Sequence, residues 1–144
     1  MDRAKVIAKE ISWLIPKLLR GMRAGFMTSP QVTASQIITL MRIYENSPAQ
    51  VGRLSKEMHV SAPTITGVID RLVRSQYLRR IHSKTDRRVV NVELTDKGEK
   101  LVQLQLSEIN KRWYAILRHL TSQDREDYIR ILRRIVQVLG KEYA

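Results

Sequence analysis

Two short runs with strand character, residues 77–81 and 89–94, flank a polar, basic connector at 83–88. In the second run Val90, Val92 and Leu94 fall on one face and Asn91 and Glu93 on the other. That period of two is the pattern of a half-buried strand. Paired through so short a connector, the runs make an antiparallel hairpin whose tip carries Lys84, Arg87 and Arg88. The segment just upstream has helical periodicity broken by turn signals. Helix, turn, helix and then a basic hairpin is an order suited to reading double-stranded DNA.

Composition narrows the partner. The chain has 144 residues, the size of one ordinary domain. At 43% hydrophobic and 28% charged it can bury a core rather than stay disordered. It has no cysteine, which excludes a disulfide framework, a thiolate metal site and a cysteine redox switch. A formal net charge of +12 attracts polyanions at long range, nucleic acid first and an anionic membrane surface second. A basic protein with no such partner is the plain alternative. No apolar run approaches the ~20 residues of a membrane span. The first residues mix charge into their apolar pattern, unlike a signal peptide. A cytoplasmic location is expected.

Six helices and one hairpin are predicted. The first helix covers roughly 3–26, with Val6, Ile7, Ile11, Leu14, Ile15, Leu18, Leu19 and Met22 in a broad apolar stripe. Pro16 inside it predicts a kink or break. Thr33, with Gln36 three residues on, reads as a capping box for a second helix. Its buried face is expected from Ile37, Ile38, Leu40, Met41 and Tyr44. Ser47 is expected to cap a short third helix, with Pro48 in its first position and Val51, Leu54 and Met58 inward. Ser61 caps a fourth over 62–75, with a core face of Ile65, Val68, Ile69, Leu72 and Val73. Thr95 caps a fifth over about 96–120, with Leu101, Leu104, Ile109, Trp113, Ile116 and Leu117 as its apolar face. Thr121 opens a sixth over about 122–141, striped by Ile129, Leu132, Ile135, Val136 and Leu139. The first and last two helices carry more apolar surface than the middle can cover. A second copy on a two-fold axis is the simplest cover, and a monomeric bundle the alternative.

The stretches "LSKEMHVSAPTITGVIDRLVRSQYLRR" and "DRRVVNVELTDKG" resemble the MarR family of winged helix–turn–helix regulators. The resemblance rests on Asp86, Arg88, Leu94, Thr95 and Gly98, and on the Asp70-Arg71-Leu72 step. It covers 33–98 closely and the flanking helices by length and order. It implies a mainly α fold with a small antiparallel β-hairpin (α+β). Residues 1–30 would be an N-terminal dimerisation helix, 31–98 the DNA-binding domain and 99–144 C-terminal dimerisation helices. The chain departs from the family at Ser75-Gln76, where a glycine is usual. Glycine there suits a left-handed helix stop, which other residues accept less readily. A differently shaped turn is expected.

The fourth helix presents Ser61, Ala62, Pro63, Thr64, Thr66, Gly67 and Arg71 as candidates for the major groove. Small residues permit close approach, hydroxyls donate or accept, and methyl groups touch thymine. Arg74, Arg79 and Arg80 read as phosphate contacts, which orient without specifying sequence. The wing residues are Lys84, Asp86, Arg87 and Arg88. By resemblance Arg88 enters the minor groove and Asp86 orients its guanidinium; alternatively, or in addition, Asp86 supports the hairpin turn. In the family, phenolic or other anionic compounds bind between the dimer helices and the DNA-binding lobe. Arg20, Met22, Arg23, Phe26, Met41, Tyr44 and Trp113 are the candidates here, against a reading in which the apolar ones are plain core and the arginines solvated.

The sequence has no Gly-rich phosphate loop and no paired-His metal motif, and His59, His82 and His119 stand isolated. No enzyme activity, metal or cofactor is expected. The expected function is a sequence-specific DNA-binding regulator, a homodimeric repressor on a pseudo-palindromic operator. The alternatives are a basic DNA- or RNA-binding architectural protein that ignores sequence and a membrane-surface protein.

Overall fold

The computed structural model describes residues 2–23 and 31–142. Among these, six helices and a three-stranded sheet follow in the order α1 (Arg3–Arg23), α2 (Ala34–Glu45), β1 (Ala49–Gln50), α3 (Val51–Glu57), α4 (Ala62–Arg74), β2 (Leu78–His82), β3 (Val90–Leu94), α5 (Asp96–Leu117) and α6 (Ser122–Glu142). The sheet is antiparallel in the order β1-β3-β2. Its register sets Leu78 opposite Leu94, Arg80 opposite Val92 and His82 opposite Val90.

Local chemistry places most helix starts. Thr33 Oγ1 accepts from the Gln36 amide while the Gln36 side chain accepts from the Thr33 amide, closing the capping box. Ser61, Thr95 and Thr121 accept from the backbone N–H of Thr64, Gly98 and Asp124. The end of α4 is a Schellman motif: Tyr77 N–H donates to the Leu72 carbonyl at 2.9 Å and Gln76 N–H to the Val73 carbonyl at 3.0 Å. Gln76 takes φ 63°, so the left-handed stop forms on a residue with a Cβ. The expectation of a different turn is corrected: hydrogen bonds on both sides hold glutamine where glycine would sit more easily.

The core lies between Val32 and Val102. Ile37, Leu40, Ile43, Leu54, Ile65, Ile69, Leu72, Leu78 and Val92 are buried together, so α2, α3, α4 and the sheet share one interior. Several sequence expectations change here. Ala49 and Gln50 are extended and pair with Val92 and Asn91, so the third helix starts at Val51. Ser47 does not cap it; Gln50 is the N-cap, without a side-chain hydrogen bond. On α2 the inner face is Ile37, Thr39, Leu40 and Ile43, while Ile38 and Tyr44 are exposed. On α5 the inner face is Gly98, Val102 and Gln105, while Leu104 and Ile116 are exposed. Helix α1 continues through Pro16 without a break. Residues 24–26 of the expected first helix lie outside the described residues.

The apolar stripes of α1 and α6 stay uncovered. Ile7, Ile11, Leu14 and Leu19 on α1, and Ile131, Ile135, Val136 and Val138 on α6, are exposed. Met22 is the exception on α1: it is buried, near the place where Arg112 of α5 donates to the Gly21 carbonyl at 3.4 Å.

Candidate nucleic-acid interface

At 100° per residue, burial of Ile65, Ile69 and Leu72 turns Pro63, Gly67 and Arg74 to the opposite side of α4. Thr66 and Asp70 fall on one flank and Thr64 and Arg71 on the other. Ser61, Ala62, Pro63, Thr64, Thr66, Arg71 and Arg74 are all exposed. The Ser61 and Thr64 hydroxyls bond each other at 2.7 Å, so part of their capacity is used at the helix start. A Cβ on Gly67 would meet nothing within 4 Å. No internal packing requires that glycine, which leaves a flat patch on the outer face.

The hairpin stands beside this helix. Its tip is held by its own polar groups: Ser83 Oγ accepts from the Thr85 and Asp86 amides, and Asp86 Oδ1 accepts from the Arg88 amide at 2.9 Å. Asp86 therefore supports the turn through backbone. Among the described residues, no ion pair joins Asp86 to the Arg88 guanidinium.

The arginines divide by strand alternation. Arg79 pairs with Glu93 directly across the β2–β3 ladder, and Arg80 pairs with Asp70 of α4. These two expected phosphate contacts are engaged within the protein. Arg71, Arg74, Lys84, Arg87 and Arg88 are exposed and form no ion pair among the described residues. The surface around the outer side of α4 and the hairpin tip is thus strongly positive.

The candidate effector residues are less concentrated. Met22 is buried, Met41 half-buried, Tyr44 and Arg20 exposed. Trp113 packs on Tyr128 with ring centroids 5.6 Å apart. The Arg23 side chain and Phe26 lie outside the described residues. A polar cleft of about 490 Å³ lies elsewhere, bounded by Arg42, Asn46, Gln50, Arg53, Glu57 and Asn91. Arg42 bonds Glu45 and Glu57 there, and the Glu45 hydrogen bond leads in raising its pKa against an opposing burial effect. The sequence carries no signal for this cleft, because Ala49 and Gln50 of β1, which line it, follow Pro48 in a pattern that reads as the start of a helix. Among the described residues no cluster of His, Cys, Asp or Glu could hold a metal ion, and no helix is long and apolar enough to cross a membrane.

Comparison with known proteins agrees with this geometry. The MarR family model matches residues 32–90. The HTH-type transcriptional repressor NicR of Pseudomonas putida is 25% identical over 133 residues, 90% of this chain and 84% of that protein. A MarR family protein from Bacillus stearothermophilus has the same fold, with a TM-score of 0.84 at 22% identity over 97% of this chain and 99% of that one. Streptococcus pneumoniae FabT, solved in complex with DNA, superposes with a TM-score of 0.77 at 20% identity, covering 96% of this chain and 98% of FabT. A capped helix, a left-handed stop and a basic hairpin follow in this order in and beside residues 32–90, the part of the chain that matches the MarR family of winged helix–turn–helix transcriptional regulators.

Proposed function

We propose that this chain is a repressor that binds a pseudo-palindromic DNA operator as a homodimer. One observation carries the reading. The outer face of α4 is small and hydroxylated, and the exposed cations next to it, Arg71, Arg74, Lys84, Arg87 and Arg88, have no ion-pair partner among the described residues. A helix of that kind fits the major groove, where base edges carry a distinguishable code. Lys84, Arg87 and Arg88 at the hairpin tip are placed to reach the adjacent groove or its phosphates.

Residues 31–98 would form the DNA-binding unit. Residues 1–30 and 99–144 would form the dimer, because the exposed stripes on α1 and α6 need an apolar partner. Two recognition helices on a two-fold axis would engage grooves about 34 Å apart, giving an operator of roughly 16–20 base pairs. A phenolic or anionic effector bound beside Met22, Met41 and Trp113 would change that separation and release the DNA.

The test is selection from random duplexes, followed by gel shift of the selected operator and a scrambled duplex at one salt concentration. Tight binding to the first and weak binding to the second supports the reading. Equal affinity replaces it with a basic architectural protein that ignores sequence. Repeating the shift with phenolic acids tests the effector.

A further inference from the structure

We propose that Asp70 and Arg80 are a positioning pair that orients the wing against the recognition helix and so sets discrimination between sequences. The inference rests on the DNA-binding reading above.

Strand alternation makes the two neighbouring arginines different. On β2, Arg79 sits opposite Glu93 and pairs with it, while Arg80 sits opposite the buried Val92 and reaches Asp70. Arg80 thus points to the α4 side of the sheet. On α4, Asp70 lies one turn after Thr66 on the same flank. The pair therefore joins the base of the wing to the side of the recognition helix that carries Thr66.

Asp70 is the sole acid in the sequence APTITGVIDRLVR of α4. An acid on a helix that faces phosphates opposes binding, and half-exposed ion pairs of this kind contribute little to stability. Neither grip on DNA nor stability accounts for it. Geometry does. The Schellman turn at Gln76 and Tyr77, the pairing of β3 with β1 and the buried Leu78 and Val92 hold the base of the hairpin to the body of the domain. None of these is an ion pair or hydrogen bond to the flank of α4 that carries Thr66. The Asp70–Arg80 pair supplies that tie, and it fixes the orientation of the wing relative to this flank. The same bond cancels the Asp70 charge and withholds Arg80 from phosphate, so sequence-independent attraction falls while helix and wing read DNA as one body.

The test compares the wild type with Asp70→Asn, Arg80→Gln, Arg80→Lys and the double Asp70→Asn/Arg80→Gln variant. Affinity for the selected operator and for a scrambled duplex is measured over a range of salt, with thermal midpoints as a folding control. Arg80→Gln should weaken operator binding about tenfold, because Asp70 is left unanswered beside phosphate. Arg80→Lys should recover most of that loss. Asp70→Asn should strengthen scrambled binding about threefold and steepen its salt dependence by about 0.9 per protomer, since Arg80 becomes free for phosphate. The operator preference should fall in both single variants, and the double variant should depart from additivity by about threefold or more. If the wild type discriminates but the substitutions are additive, or shift both duplexes equally at unchanged thermal midpoints, the positioning role is overturned alone. If the wild type binds both duplexes equally, the regulator reading falls and the pair's role with it.

Discussion

Gly98 in the first turn of α5 lies so close to Tyr77 that a Cβ on it would sit 2.1 Å from the Tyr77 carbonyl oxygen. The contact is one stitch in a seam between the end of α4 and the start of α5. Thr95 N–H donates to the same Tyr77 carbonyl at 3.1 Å, and Thr95 Oγ1 donates to the Gln76 carbonyl at 2.6 Å. Lys97 Nζ donates to the Ser75 carbonyl at 2.9 Å and lies 4.5 Å from the centre of the Tyr77 ring. The seam joins α4, the helix proposed to enter DNA, directly to α5, which leads toward the proposed dimer surface.

Gly98→Ala should destabilise the fold by about 2–3 kcal/mol, because the methyl group meets backbone rather than a movable side chain. Urea denaturation measures this. A change below about 0.5 kcal/mol, the range of a neutral surface substitution, would mean that the seam opens at little cost.

Gln76 tells the opposite story at the same seam. Its left-handed backbone costs a residue with a Cβ about 1–2 kcal/mol. Glycine would remove that cost and return part of it through the larger freedom of the unfolded chain. Gln76→Gly should therefore stabilise by about 0.5–1 kcal/mol, and Gln76→Ala should not. Thermal denaturation of both variants checks the pair of outcomes.

What the sequence discloses here is local. Thr33 with Gln36, Ser61, Thr95 and Thr121 each act within three residues, so their caps were legible before any coordinates. The core face of α4 was legible because one continuous stripe fixes its rotation. What failed depends on distant neighbours. Ser47-Pro48 looks like a helix start, yet the next two residues are drawn into the sheet by β3, some 40 residues further on. Ile38 is as apolar as Ile43, and only the position of α5 and the sheet decides which of the two is covered. Among the candidate site residues the exposed set was legible, but the withdrawal of Arg79 and Arg80 into ion pairs was not. Nothing within either strand announces Asp70 as a partner.

Thr66→Ala and Arg88→Ala should separate the helix from the wing. Loss of a base contact at Thr66 should reduce discrimination by about 1 kcal/mol at one operator position. Loss of Arg88 should relax preference mainly at the operator flanks. Competition against a panel of single-position operator variants reads both. A uniform loss across the panel would reassign Thr66 to phosphate, and unchanged affinity for Arg88→Ala would remove the wing from the interface.

Leu132 lies within the exposed apolar stripe of α6. A charge there would not disturb the core between Val32 and Val102, but it would spoil the proposed apolar dimer surface. Leu132→Glu should sediment as a monomer near 17 kDa at micromolar concentration, retain its helical circular dichroism, and bind the operator at least tenfold more weakly. A stable monomer in the wild type would contradict the two-fold arrangement directly.

The division of arginines sets a bound on salt dependence. If Arg71, Arg74, Lys84, Arg87 and Arg88 of each protomer meet phosphate, a dimer makes about ten such contacts, and the logarithm of the binding constant should fall with the logarithm of salt with a slope near −9 at most. Arg79 and Arg80 would push the slope toward about −13 if they were also free. Each contact spent on a base edge, as proposed for Arg88, makes the slope shallower. Measured on the operator between about 50 and 200 mM salt, a slope steeper than about −10 that falls back in Arg79→Gln or Arg80→Gln would show that the Glu93 or Asp70 pair opens on DNA.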